Sequence, residues 1–198
     1  MLSKSSLGEG YSFHATKQRP SIRGGLLLST RTYRFKTRLN RIYLAEVEYY
    51  RHDIFIIKFY LKNHRGSKRK FNLTTKSVGA DGKAQYDGDG WRIITTCLRI
   101  MLAVRAKFPL MSCGFIGAEL EGESKDCTKR FRVWSKVVLA FFDPEQYTHH
   151  SNSPQSAYFI ECNANPEPDL LTKAVEMFEK IYLGVDGLLA DASTIRVG

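Results

Sequence analysis

Five runs rich in β-branched and aromatic residues crowd the chain between Leu26 and Val78, and a strongly periodic helical segment follows them. The runs cover 26–29, 32–36, 41–50, 54–63 and 70–78. That composition reads as strands, and the turn-like breaks Arg51-His52-Asp53 and His64-Arg65-Gly66-Ser67 predict an antiparallel meander. Within 41–50, Ile42, Leu44 and Glu46 alternate with Tyr43, Ala45 and Val47, so the two faces of the sheet are covered unevenly.

Past a glycine-rich stretch at 79–90, the spacing of Ile94, Cys97, Leu98, Met101 and Leu102 predicts an amphipathic helix over 91–107, stopped by Pro109. A short apolar run with two glycines, 111–119, reads as a buried strand. Asp126 or Thr128 can cap a helix with Cys127, Phe131, Trp134 and Val138 inward and Lys129, Arg130, Arg132 and Lys136 outward. Strands over 141–150 and 157–162 follow, then a last helix over 169–182 with Leu171, Ala174, Val175, Phe178 and Ile181 inward. The economical solution is an α+β fold, with a mixed, mostly antiparallel central sheet flanked by helices. Residues 1–22 are polar and read as a flexible N-terminal segment; 23–198 read as a single domain with the 169–182 helix as an addition.

Charge narrows the partners. Residues 1–70 hold 16 Lys/Arg against 4 Asp/Glu, 71–135 hold 10 against 7, and 136–198 hold 4 against 9. So basic a front half suits RNA or another polyanion, or an anionic cofactor. Arginines interleaved with Tyr33, Phe35, Tyr49 and Tyr50 would serve base stacking if those rings are exposed. No apolar run is long enough for a membrane span, and the start of the chain lacks the apolar core of a secretory signal. Cys97, Cys113, Cys127 and Cys162 are scattered without a C-x-x-C pair, which predicts free thiols and a cytoplasmic protein.

The stretch Gln85-Tyr86-Asp87-Gly88-Asp89-Gly90 joins strand-like runs to a helix start. Free amides and the helix dipole there suit a phosphate, and Gly88 and Gly90 let it come close. The spacing resembles Gln/Arg-x-x-Gly-x-Gly/Ala, the acyl-coenzyme-A pyrophosphate loop of the GNAT acetyltransferases, and the element order over 40–162 is similar to their core. That resemblance implies an acetyl-coenzyme-A-dependent N-acyltransferase, with residues 85–90 holding the pyrophosphate. It also implies that the strands flanking the helix, here 70–78 and 111–119, splay to admit the pantetheine arm. The acceptor would be an amine, on a protein or on a nucleic acid, as for the aminoacyl-tRNA-acetylating toxins of that superfamily. Asp87 and Asp89 lie where the phosphates would, Trp134 stands where many members carry a thiolate-protonating Tyr, and Cys127 replaces a cofactor-contacting Asn.

Glu119, at the end of the expected strand, is the candidate general base for the acceptor amine. Asp81, Asp87 and Asp89 lack the EF-hand pattern, and His149 and His150 would point to opposite faces of a strand, so no metal site is expected. The competing reading is a non-enzymatic nucleic-acid- or protein-binding module, or a GNAT-like protein used for interaction only.

Overall fold

The computed structural model describes residues 9–16, 18–21, 25–67, 70–71, 77–78, 84–85, 90–119 and 122–183. In chain order the elements are β1 (Phe13–Ala15), β2 (Arg19–Pro20), β3 (Leu27–Lys36), β4 (Ile42–Tyr50), β5 (Ile54–Leu61), β6 (Ser77–Val78), β7 (Ala84–Gln85) and α1 (Gly90–Arg105). Then come β8 (Ser112–Ile116), α2 (Lys129–Phe141), β9 (Tyr147–Asn152), β10 (Ala157–Cys162) and α3 (Leu170–Phe178), which continues as a π-helical turn, Glu179–Leu183. Among the described residues, no helix is long and apolar enough to cross a membrane.

The expected α+β class is what forms: one open sheet in the order β1-β3-β4-β5-β8-β10-β9, with β2 also on β3, and β6 and β7 as a separate pair. Every pairing is antiparallel except β5 with β8. That exception follows from connectivity, since the chain returns to the sheet through α1 rather than a hairpin. Strands expected at 26–29 and 32–36 form one long strand, β3. The β3–β4 turn is closed by Thr37 N–H to Arg41 O (2.9 Å) with Asn40 at φ 59°, a left-handed position that Asn tolerates. His52 and Asp53 take the same role between β4 and β5 (φ 63° and 54°).

Alternation then sorts the side chains. Tyr33, Phe35, Tyr43, Ala45, Val47, Phe55 and Ile57 pack with α1 and α2 in the larger core. Tyr50, Ile54, Ile56 and Phe159 pack with Leu170, Ala174, Met177 and Phe178 of α3 in a second core on the opposite face. Burying the Leu, Met and Phe of α3 contributes about 1.5–3 kcal/mol each, which makes this helix a structural half of the fold. Its inward face is one step from the expectation: Met177 is buried, while Val175 is half-buried and Ile181 exposed. In α1 the buried stripe likewise takes in Ile93, Thr96, Ile100 and Val104, with Ile94 and Leu102 at its margins.

The described part of 9–21, where the sequence predicts loose order, lies on the domain. Tyr11 is buried, donates its amide to Thr96 Oγ1 (2.8 Å) and stacks on Phe35 (6.2 Å). Phe35 stacks on Tyr43 (5.4 Å), the register partner of Leu61 at the end of β5. Beyond the other end of α1, Phe108 packs on Phe55 near the start of β5 (5.0 Å). Helix α1 therefore begins at the end of the sheet where β5 and β8 finish.

Candidate functional site

Strands β5 and β8 run together for three register pairs only, Ile54↔Ser112, Phe55↔Cys113 and Ile56↔Gly114. Beyond them β5 stays with β4, through Phe59↔Ala45 to Leu61↔Tyr43, and β8 stays with β10, through Phe115↔Tyr158 and Ile116↔Ala157. Two local attractions draw β8 away. Phe115 stacks on Tyr158 (5.4 Å), and Gly117 bonds the start of α2, its carbonyl accepting from Thr128 Oγ1 (2.8 Å). The gap is bridged by Trp134 of α2, which is 6% exposed and lies 6.0 Å from the Phe59 ring and 5.9 Å from that of Phe115.

The result is a cleft of about 230 Å³ with largely apolar walls, including Ile57, Phe59, Phe115, Ala118 and Trp134. Two cations also line it, Lys58 and Arg130. Arg130 donates Nη1 to the carbonyl of Phe71, and burial lowers its pKa against the opposing pull of Glu123. Lys58 donates to Glu48 Oε1 (2.7 Å) and stands over the Tyr182 ring (4.4 Å). Burial first, and Glu48 next, push the Tyr182 phenol far above its ordinary range, so it is a hydroxyl donor at any physiological pH. At the sheet end where the strands part, α1 opens at Gly90 with no acidic residue in its first turn; the first-turn amides of a helix lack intrahelical partners, and its dipole is positive there.

The sequence-predicted residues distribute as follows. The splayed strand before α1 is β5, Ile54–Leu61, and not 70–78, of which the described strand is only Ser77–Val78. The near-continuous apolar run Ile54-Phe55-Ile56-Ile57 is the sequence signal for that strand, because a central strand is covered on both faces. Gln85 pairs with Ser77 in a two-residue ladder, and Gly90 is the first residue of α1, with nothing within 4 Å of the place a Cβ would occupy. Tyr86, Asp87, Gly88 and Asp89, like Asp81, lie outside the described residues. Strand β8 ends at Ile116, so Glu119 sits beyond it, half-buried and directly after the cleft residues Gly117 and Ala118.

The glycines of β8 are crowded, but by the protein itself. A Cβ on Gly114 would meet the Phe178 ring at 2.5 Å, and one on Gly117 would meet Thr128 Oγ1 at 2.5 Å and Phe131 N at 2.6 Å. Of the two proposed caps, Thr128 forms, accepting from Phe131 N–H (3.1 Å). Cys127 precedes the helix at φ 49°. Arg130, expected on the solvent face, lines the cleft; it lies one helical turn before Trp134 and so shares its side. Lys58 and Tyr182 carried no motif that could have marked them.

His149 and His150 do face opposite ways: His149 bonds Tyr158 and Phe142, and His150 bonds Glu161 (2.7 Å) and stacks on Phe159. Among the described residues no cluster could hold a metal ion. The aromatics interleaved with arginine are mostly core: Tyr33, Phe35 and Tyr50 are buried, and Tyr49 is half-buried against Phe55 and Phe108. Compared with protein-family models, curated proteins and solved structures, the chain matches none.

Proposed function

We propose that the protein is an N-acyltransferase that takes its acyl group from acetyl-coenzyme A, with the β5–β8 cleft as the donor site. The observation that carries this reading is the parallel pair that opens, after three residue pairs, into an apolar slot at the sheet end where α1 begins. The fit rests on backbone as well as walls. Past Ile56 on β5 and Gly114 on β8, no ladder bond crosses the gap among the described residues. An amide-bearing arm inserted there would satisfy backbone groups that a sheet normally pairs.

The donor supplies an activated thioester; this chain supplies position. Phe59, Phe115 and Trp134 exclude water from the slot, and the amides opening α1 face the end where an anionic group would lie. Glu119, which follows the cleft residue Ala118, is in this reading the base that takes a proton from the acceptor amine. Trp134 has only an N–H that stays protonated at neutral pH, so it shapes the slot and does not serve as an acid. Holding amine and thioester together accounts for most of the rate in such a site. The basic front half supports an acceptor carried on a polyanion, RNA foremost.

Calorimetric titration of acetyl-coenzyme A and coenzyme A, with a thermal-shift readout, tests the reading. Ligand at about 100 times its dissociation constant adds about 2.7 kcal/mol of stability. Ala118→Phe, which fills the slot, abolishes that gain, whereas Glu119→Gln keeps binding and loses acyl transfer. No binding to the wild-type chain at millimolar ligand ends the proposal.

A further inference from the structure

A second pocket, of about 120 Å³, opens between β3, the start of β5 and the carboxyl end of α1, and shares no wall residue with the β5–β8 cleft. We propose that it binds a small planar carboxylate.

The floor is aromatic and fixed. Tyr49 and Phe55 stack at 4.6 Å, and Phe108 tilts over both, at 5.3 and 5.0 Å. Tyr33 adds a buried ring. Set among these is Arg31, which shares the inward face of β3 with Tyr33 and Phe35 and therefore points under α1. Its strand partner on that face is apolar, Val47. The Nε of Arg31 is buried and has no hydrogen-bond partner, and among the described residues no carboxylate pairs with the guanidinium. The Tyr33 ring centroid lies 6.0 Å from its Cζ.

The guanidinium lines the pocket with no carboxylate of the described residues beside it, and a bound anion supplies that partner. Lys107, exposed at the rim, adds a second positive charge. Asp53 does not compete as a wall residue; it accepts from Tyr49 Oη (3.0 Å). The carbonyls ending α1 do not face the pocket bare, because Leu102, Val104 and Arg105 accept from the amides of Ala106, Lys107 and Phe108. At about 120 Å³ the pocket has room for a single ring with one carboxylate. The planar fork of Arg31 meets a carboxylate edge-on while the rings hold the planar body.

Benzoate is the probe, titrated into the full chain by calorimetry and by saturation-transfer NMR, with benzamide as its neutral counterpart. Saturable benzoate binding in the millimolar range or tighter is expected, weaker by about tenfold or more for benzamide and for R31Q. R31K, which keeps the charge but not the fork, falls between. K107Q, at an exposed position, weakens benzoate without altering the fold and serves if R31Q unfolds. No benzoate binding to the wild-type chain, or equal binding by benzamide, R31Q and K107Q, overturns the proposal. Acetyl-coenzyme A titrated into R31Q binds as in the wild type, so failure here and failure of the donor-site reading are separable.

Discussion

Tyr50 and Tyr182, 132 positions apart, bring their hydroxyl oxygens to 2.6 Å, and both reach the same oxygen of Glu48. Lys58 closes the group from the other carboxylate oxygen. This cluster ties the π-helical end of α3 to β4 and to the cleft wall. Tyr182→Phe is expected to cost about 1.5–3 kcal/mol, the range for hydrogen bonds to a charged group. A double-mutant cycle with Tyr50→Phe shows non-additivity, since both act on one carboxylate. Additive losses in urea unfolding would break the cluster into independent contacts.

The same cluster sets an alkaline limit. Folded Tyr50 and Tyr182 hold their protons more tightly than the ordinary value of 10.0 allows, through burial first and Glu48 second. Their contribution is therefore complete below pH 10.0 and falls as pH rises above it, where only the unfolded chain releases the protons. Stability measured from about pH 9 to 11 declines less steeply in the Tyr50→Phe, Tyr182→Phe double variant than in the wild type.

Acid acts through His149. Burial lowers its folded pKa below 6.5, outweighing the bond to the Phe142 carbonyl, with His150 adding in the same direction. The neutral ring donates Nε2–H to that carbonyl (3.0 Å) and accepts from Tyr158 Oη at Nδ1 (3.1 Å). Stability from this group is present above pH 6.5 and is lost as pH falls through the lower folded value. His149→Gln flattens the stability profile between about pH 7 and pH 5, and an unchanged slope would remove His149 from the account.

Gly117 decides whether β8 can reach α2. Gly117→Ala places a methyl on Thr128 Oγ1 and the Phe131 amide, dislodging the cap, and is expected to cost about 2–4 kcal/mol. Gly66→Ala, with open space around it, stays within about 0.5 kcal/mol of wild type. Equal Tm values for the two variants would refute the close approach.

The two tryptophans report separately on the cleft. Trp91 is 50% exposed at the start of α1, and Trp134 is 6% exposed between Phe59 and Phe115. In Trp91→Phe the remaining emission is blue-shifted and responds to acetyl-coenzyme A. If that emission is red-shifted like that of a solvated indole, Trp134 does not line a packed cleft.

Strands β4, β5, β8 and β10, the three helices and the inward sense of Phe131, Trp134 and Val138 were legible because alternation and helical spacing are local consequences of burying one face. The strand expected over 141–150, by contrast, forms only at Tyr147–Asn152, after α2 has run to Phe141. The meander followed from its turns for the same reason. Which strand lies beside β8 was not legible: 70–78 and 54–61 both carry apolar residues, and only pairing across α1 selects the second. Nor could local pattern reveal Tyr182 beside Lys58, or Arg31 without an acceptor. By itself the sequence determined element types, an α+β class and a basic front half, since these depend on residues near one another in the chain. The tertiary structure alone decided the cleft and the second pocket. Both arise from packing between segments far apart in sequence, where β8 is held by β10 and α2 while β5 is held by β4, and no periodicity encodes that competition.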